Sequence, residues 1–257
     1  MPLPRLIESP QNPWFKLWES LSESRGLKKH GTFLLAGQKT VPEALARWAD
    51  RFSALLIDDP ARIEGWAVPP GLDVVQLAPA LFRRLDFNGT DFPLLLGTVP
   101  EIPFVDLARP PQGLELVCAL GDPNNLGALL RSAASFGARR VILLEESAHP
   151  YHPKCLRAAS NAQFELTLMR GPRWPALRDA ALRDQAGPLF ALDAGGEDLS
   201  AIAWPRDLRL VLGEEGQGVP DDLPARRLSI PTTGAVESLN ATVAASLALY
   251  SHFLATR

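Results

Sequence analysis

Apolar runs of four to seven residues alternate along this chain with longer stretches in which apolar positions recur at helical spacing. Trp14, Leu17, Trp18 and Leu21 predict a short helix over residues 11–25. Phe33–Gly37, Ala54–Asp59, Val74–Ala78 and Pro93–Val99 read as strands, with helices predicted over Thr40–Asp50 and Pro79–Phe87. That alternation predicts a small α/β domain. The proline-rich segment Pro100–Gly113 (PEIPFVDLARPPQG) then breaks the pattern and reads as an interdomain linker. The alternation restarts with LELVCAL (Leu114–Leu120), a helix over Asn125–Phe136 and RVILLEE (Arg140–Glu146). A helix near Lys154–Ala162, the strand FELTLMR, a helix near Trp174–Gln185 and the strands LFALD, LRLVLG and RLSIP follow. A final helix is expected from about Glu237 to Ala255. Strands separated by helices predict a mostly parallel sheet covered on both faces. The expected organisation is a domain over residues 1–99, a linker over 100–113 and a second domain over 114–257.

Composition narrows the class. With 257 residues, 46% apolar and 21% charged, the chain can build two modest cores. No run reaches the ~18 apolar residues of a membrane span. The opening segment lacks the continuous apolar stretch of a signal peptide, so a cytoplasmic location is expected. Two cysteines, Cys118 and Cys155, cannot build a disulfide framework, and Cys118 lies within an apolar run as a buried thiol would. The net charge of −3 offers no broad field for nucleic acid, so any such contact must use local clusters. The candidates are Arg25, Lys28, Lys29 and His30, and the pairs Arg83–Arg84, Arg139–Arg140 and Arg226–Arg227. Each of these alone is more simply a solvated surface group.

Three segments carry candidate chemistry, each placed just after a strand, where open α/β sheets bind ligands. The first is Asp122-Pro123-Asn124-Asn125, followed six residues later by Arg131 in an otherwise apolar helix. Helix capping explains the Asp and Asn. Arg131 calls for a carboxylate, a phosphate or an interface to satisfy its donors. The second is the glycine turn GEEGQG (Gly213–Gly218), in which Glu215 could pair with Arg131 and Glu214 reads as solvent-facing. The third is GAVESLNAT, which places Ser238 and Asn240 in the first turn of the last helix. Capping accounts for Ser238 better than for Asn240. HPYHPKC (His149–Cys155) holds ligand-type residues, but no fourth ligand is near and two prolines interrupt it, so no metal is expected. A loop offering Lys154 and Arg157 to an anion is the better reading. No dinucleotide fingerprint, P-loop, HExxH or nucleophile elbow occurs.

Taken together, the three segments resemble the three motifs of the SpoU/TrmH-type RNA 2′-O-ribose methyltransferases of the SPOUT superfamily. DPNNLGALLRSAASFG looks like the first motif, with Asn125 and Arg131 at its marked positions. LVLGEEGQGV looks like the second, with Glu215 at the marked acid, and IPTTGAVESLNATVAASLALY the third, with Ser238 and Asn240. The stretch from Glu8 to Arg47 is similar to the L30e-like substrate-binding domain of that family. Glu214, Asn161 and Ala36 depart from the family pattern, which often has Asn, Gly and an acidic residue there.

The resemblance implies an α/β domain whose C-terminal segment threads a trefoil knot, and a homodimer through the knotted face. It implies S-adenosylmethionine held near Leu212, Gly213, Gly218, Ile230 and Leu239. The implied reaction moves its methyl group to a ribose 2′-hydroxyl in RNA, ribosomal rather than transfer RNA. Asn125, Arg131, Glu215, Ser238 and Asn240 would be the catalytic set. Arg131 is either the base, against a guanidinium's ordinary hold on its proton above about 12, or a phosphate clamp. Arg25, Lys28, Lys29, Lys154 and Arg157 would contact RNA. The alternative from another class is a knotted RNA-binding protein without catalysis.

Overall fold

The computed structural model describes residues 5–214, 216–236 and 238–257. They form two compact units, residues 5–101 with His149–Phe164, and Ile102–Ala148 with Glu165–Arg257. The second domain expected over 114–257 is therefore interrupted, because the segment 149–164 packs into the first unit.

The first unit carries a five-stranded mixed sheet. Its elements are β1 (Leu6–Ile7), α1 (Pro13–Glu19), α2 (Ser24–His30), β2 (Thr32–Leu35), α3 (Thr40–Trp48), β3 (Phe52–Ile57), β4 (Asp73–Leu77), α4 (Pro79–Leu85) and β5 (Leu94–Thr98). The strand order is β1-β4-β3-β5-β2, with β5 antiparallel to both its neighbours. The helix expected over 11–25 is two helices. Asn12 accepts from the Trp14 N–H at 2.9 Å and starts α1, and a tight turn at Ser20–Ser22 ends it. A Cβ on Gly26 would meet the Ser20 carbonyl oxygen at 1.9 Å, so glycine lets α2 fold back against that turn. Gly31, at φ 61°, then closes α2 in the left-handed conformation that favours glycine.

The second unit contains β6 (Leu114–Cys118), α5 (Pro123–Ser135) and β7 (Arg140–Leu143). The chain then passes through the first unit, where it forms α6 (Pro153–Ala159). On its return it forms β8 (Thr167–Arg170), α7 (Trp174–Leu182), β9 (Leu189–Asp198), β10 (Leu208–Leu212), β11 (Arg226–Ser229) and α8 (Ala241–Thr256). The six strands pair in the order β11-β9-β10-β6-β7-β8, every described pair parallel. Every residue of β6 and β10 is buried, as both faces of a covered parallel sheet require. Val117, Ile142, Ala191 and Val211 pack with Leu177 and Ala180 of α7 in one core cluster. On another side α5 and α8 pack together, with the Ser132 and Ser246 hydroxyls 2.7 Å apart.

The proline-rich segment is an ordered strap. The Val105 N–H donates to the Arg170 carbonyl at 2.9 Å, and the Arg170 N–H to that of Pro103 at 2.8 Å. Further on, the buried Arg209 donates to the carbonyls of Leu107 and Arg109 at 3.0 and 2.7 Å, and to that of Ala186. Its Nε donates to the buried Glu115 carboxylate at 3.0 Å, which Arg140 also meets at 2.9 Å. A fully buried guanidinium is tolerable because carboxylate and carbonyls together take up its donors.

Candidate functional site

In the second unit, β6 is flanked by β7 on one side and β10 on the other. The chain order reverses there, and such a switch point opens a crevice at the carboxyl ends of the strands. A cavity of about 810 Å³ is lined by the carboxyl ends of β10 and β11, the middle of β9 and the start of α8. It is roomy enough for a nucleoside-sized ligand. Leu212, Gly213, Gly218, Ile230 and Leu239 all line it, and so do Ser238 and Asn240.

The glycine turn is folded tightly on itself. Glu214 and Gly218 exchange backbone bonds of 3.2 and 2.9 Å, and Gly216 and Gly218 take φ of 85° and 72°. A Cβ on Gly213 would meet the Gly218 carbonyl carbon at 2.0 Å, so that position admits only glycine unless the backbone moves. Glu214 does not simply face solvent. Its Oε1 accepts from the Trp174 indole N–H at 3.2 Å, tying the turn to the start of α7. A carboxylate thus fills a position where the resemblance favours Asn. Glu215 lies outside the described residues, as does Glu237.

The last helix starts later than its apolar pattern suggests. Neither Ser238 nor Asn240 is in its first turn. Asn240 is the cap, accepting from the Thr242 and Val243 N–H groups at 3.0 and 3.2 Å. Its amide also donates to Asn125 Oδ1 at 3.4 Å, and the Thr242 hydroxyl donates to the Asn125 carbonyl at 3.1 Å. Those bonds draw the start of α5 against the start of α8, so Asn125 stands beside Asn240 without itself lining the cavity. The weaker capping candidate is therefore the cap, because its short amide reaches two N–H groups from the position just before the helix.

Arg131 does not line the cavity. It is exposed on α5 and makes no ion pair among the described residues. The apolar helix around it hides the fact that its own position faces outward. Asp193, at the rim on β9, had no signal beyond ending an apolar run; it binds Arg227 at 2.9 Å. Arg227 also holds the carbonyls of Val219 and Pro220 at 3.2 and 2.6 Å, fixing the chain after the glycine turn. Arg226 pairs with Glu197 at 2.7 Å, so neither arginine of that pair is free for nucleic acid.

In the first unit, Arg25, Lys28 and Lys29 are exposed on α2, and Lys154 and Arg157 on α6. The histidines of HPYHPKC have local work. His149 Nδ1 accepts from the Tyr151 N–H at 3.2 Å, and His152 Nδ1 caps α6 through the Lys154 N–H at 3.2 Å. Burial, with the charges of Lys28 and His152, lowers the His149 pKa to about 4. Burial pushes the Tyr151 phenol up to about 12. Asn161, which stands where the resemblance favours glycine, has φ 68°, and Asn is among the residues that tolerate this conformation best. Its amide donates to the Thr40 carbonyl and to Glu43 at 3.0 and 2.9 Å.

Residues 116–250, more than half of the chain, match the SpoU rRNA Methylase family. A protein of Syntrophobacter fumaroxidans named ribosomal RNA small subunit methyltransferase G 2 is 39% identical over 96% of this chain. The chain spans 49% of that relative, about half its length, so the name describes a longer protein. The 23S rRNA (guanosine(2553)-2′-O)-methyltransferase RlmP of Bacillus subtilis is 29% identical over 95% of this chain and 97% of its own. The SpoU methyltransferase AviRb from Streptomyces viridochromogenes, solved with AdoMet, shares the fold with a TM-score of 0.78. That match covers 95% of this chain and 98% of AviRb at 24% identity. The chain belongs to the SpoU rRNA methylase family.

Proposed function

We propose that this protein is an S-adenosylmethionine-dependent methyltransferase acting on a ribose 2′-hydroxyl of ribosomal RNA. The observation that carries the reading is the cavity, which gathers Leu212, Gly213 and Gly218 from the end of β10, Ile230 from the end of β11 and Leu239 from the approach to α8. S-adenosylmethionine suits it. The turn closes tightly on its own backbone at Gly213, and Gly213, Gly216 and Gly218 line the cavity with no side chain between main chain and ligand. Leu212, Ile230 and Leu239 give an apolar wall. When bound, that group supplies a methyl carbon made electrophilic by its positive sulfur. RlmP is named for 2′-O-methylation of 23S rRNA, which favours ribosomal over transfer RNA as substrate.

Within this reading the chain's own residues position and exclude. Asn240 at the rim and Asn125 bonded to it orient the ribose so that its hydroxyl oxygen faces the cavity. Ser238 shapes the same rim. Arg131, exposed and cationic, holds a phosphate beside the target nucleotide with its planar fork of donors. Glu215 is assigned, from its motif position, to orient Arg131. Arg25, Lys28, Lys29, Lys154 and Arg157 bind RNA backbone on the first unit, which serves as the L30e-like substrate-binding domain. The C-terminal segment is threaded as the family's trefoil knot. The outward stripe of α8, Val243, Leu247, Tyr250 and Leu254, is 42–48% exposed and recurs on one helical face. It forms the homodimer interface. The protein works in the cytoplasm, where ribosomal RNA is available.

Calorimetry with S-adenosylmethionine, paired with methyl transfer to unmodified ribosomal RNA, tests the reading. Wild type should bind about one cofactor per chain. Arg131→Ala should retain that binding and lose transfer by about a hundredfold or more. Equal transfer by Arg131→Ala and wild type would remove Arg131 from the mechanism. Cofactor and RNA binding without transfer would leave the silent RNA-binding protein.

A further inference from the structure

We propose that Phe104 and Arg170 form a stacking platform for a nucleobase that flanks the methylated nucleotide, an inference resting on the RNA methyltransferase reading. Phe104 sits on the strap and is 64% exposed, so its ring serves no core. Yet its backbone is held on both sides. Pro103 and Val105 bond to Arg170, and Phe104 itself bridges to Arg170 in parallel. The Arg170 guanidinium lies 4.4 Å from the ring centroid and covers one face. The result is an aromatic plane on an anchored backbone, with one face covered by a cation and the other open. Base stacking on an aromatic ring braced by arginine is a general mode of holding single-stranded nucleic acid.

Position argues for RNA as the occupant. The strand register places Arg170 opposite Leu143, Leu143 opposite Cys118, and Cys118 opposite Leu212. Leu212 lines the cofactor cavity. Three strand spacings separate the ends of that row, roughly 14 Å at about 4.8 Å each. That is a few nucleotides' length at about 3.4 Å per stacked nucleotide. The platform thus stands on the same carboxyl edge as the methyl-donor pocket, within reach of an RNA segment entering it. A groove of about 500 Å³ adjoins Phe104, Leu107 and Pro172, room for a base and its ribose. The groove's acids are already neutralised, Glu145 by Arg173 at 2.6 Å and Asp106 by Arg109 at 3.2 Å. It therefore presents no uncompensated negative charge to a phosphate.

The test uses the full chain and a mixed-sequence single-stranded RNA of about a dozen nucleotides carrying 2-aminopurine, whose fluorescence falls on stacking. Methyl transfer to unmodified ribosomal RNA and calorimetry with S-adenosylmethionine run alongside. Phe104→Ala and Phe104→Leu should lose the quenching and weaken RNA binding about ten- to hundredfold, while Phe104→Tyr stays within about twofold of wild type. Arg170→Ala should weaken RNA binding and flatten its salt dependence. Cofactor affinity should be the same in all four, which also shows that each is folded. Wild-type RNA binding and transfer in Phe104→Ala would overturn the platform and leave the methyltransferase reading standing. A wild-type protein that neither binds the cofactor nor transfers methyl would overturn both.

Discussion

His149 shows how a single side chain is constrained by burial. Its ring accepts a backbone N–H, so the structure selects the neutral form, and Lys28 and His152 add repulsion against a proton. With a folded pKa near 4 against 6.5 unfolded, the unfolded chain binds more protons between those values. The stability from this group is therefore complete above about pH 6.5 and is lost as pH falls toward 4. We expect stability to drop by about 1–3 kcal/mol over that window, with His149→Gln removing most of the slope, in denaturant titrations at stepped pH. The sequence displayed His149, His152 and Cys155 as ligand-type residues but could not show that both histidines accept neighbouring N–H groups. Residue identity was legible; hydrogen-bond partners, which depend on local turn geometry, were not. Arg131 illustrates the same limit, since an apolar helix says nothing about which of its positions points outward until its packing faces are known.

Among the elements, the glycine turn after β10 makes the most restrictive demand. A methyl group at Gly213 would have to occupy space held by the backbone of Gly218 and Val219. Gly213→Ala should push the backbone of the turn apart and weaken S-adenosylmethionine binding by about tenfold or more in calorimetry, with circular dichroism checking that the secondary structure is retained. Strand centres were readable from apolar runs because a covered parallel sheet buries both faces of each strand. Helix ends were not. The last helix starts at Ala241 because Asn240 reaches the Thr242 and Val243 N–H groups. The first predicted helix breaks because Gly26 permits a close turn. Both outcomes rest on short-range geometry that periodicity does not encode. The order in the proline-rich interdomain segment is not legible in its own sequence, because its anchors, Arg170 and Arg209, lie far along the chain.

For the whole molecule, α8 carries the clearest unfinished surface. Val243, Leu247, Tyr250 and Leu254 share one outward face, while Ala245, Ala248 and Leu249 are buried. A charge in that stripe would have to be desolvated in a dimer. On the proposed homodimer, wild type should sediment as a dimer and Leu247→Glu as a monomer, with the monomer's secondary structure intact. A dimer unchanged by Leu247→Glu would place any self-association elsewhere. The three motifs made the family legible, and the second and third made cavity residues legible, because those two follow strands that end beside the cavity. The division of the chain into units was less so, since a segment's fold partner is a long-range choice.

That choice has a consequence for synthesis. Phe33, near the start of the chain, packs its ring 4.8 Å from that of Tyr151 and 6.2 Å from that of Phe164. A ribosome delivers residues in order, at about 5–20 per second. The first unit therefore cannot complete its aromatic cluster when residue 101 emerges. It must wait, with β2 incompletely covered, while β6, α5 and β7 of the other unit are made and the 149–164 segment follows. Maturation here runs in an interleaved sequence, and an N-terminal intermediate with exposed apolar surface is written into the connectivity.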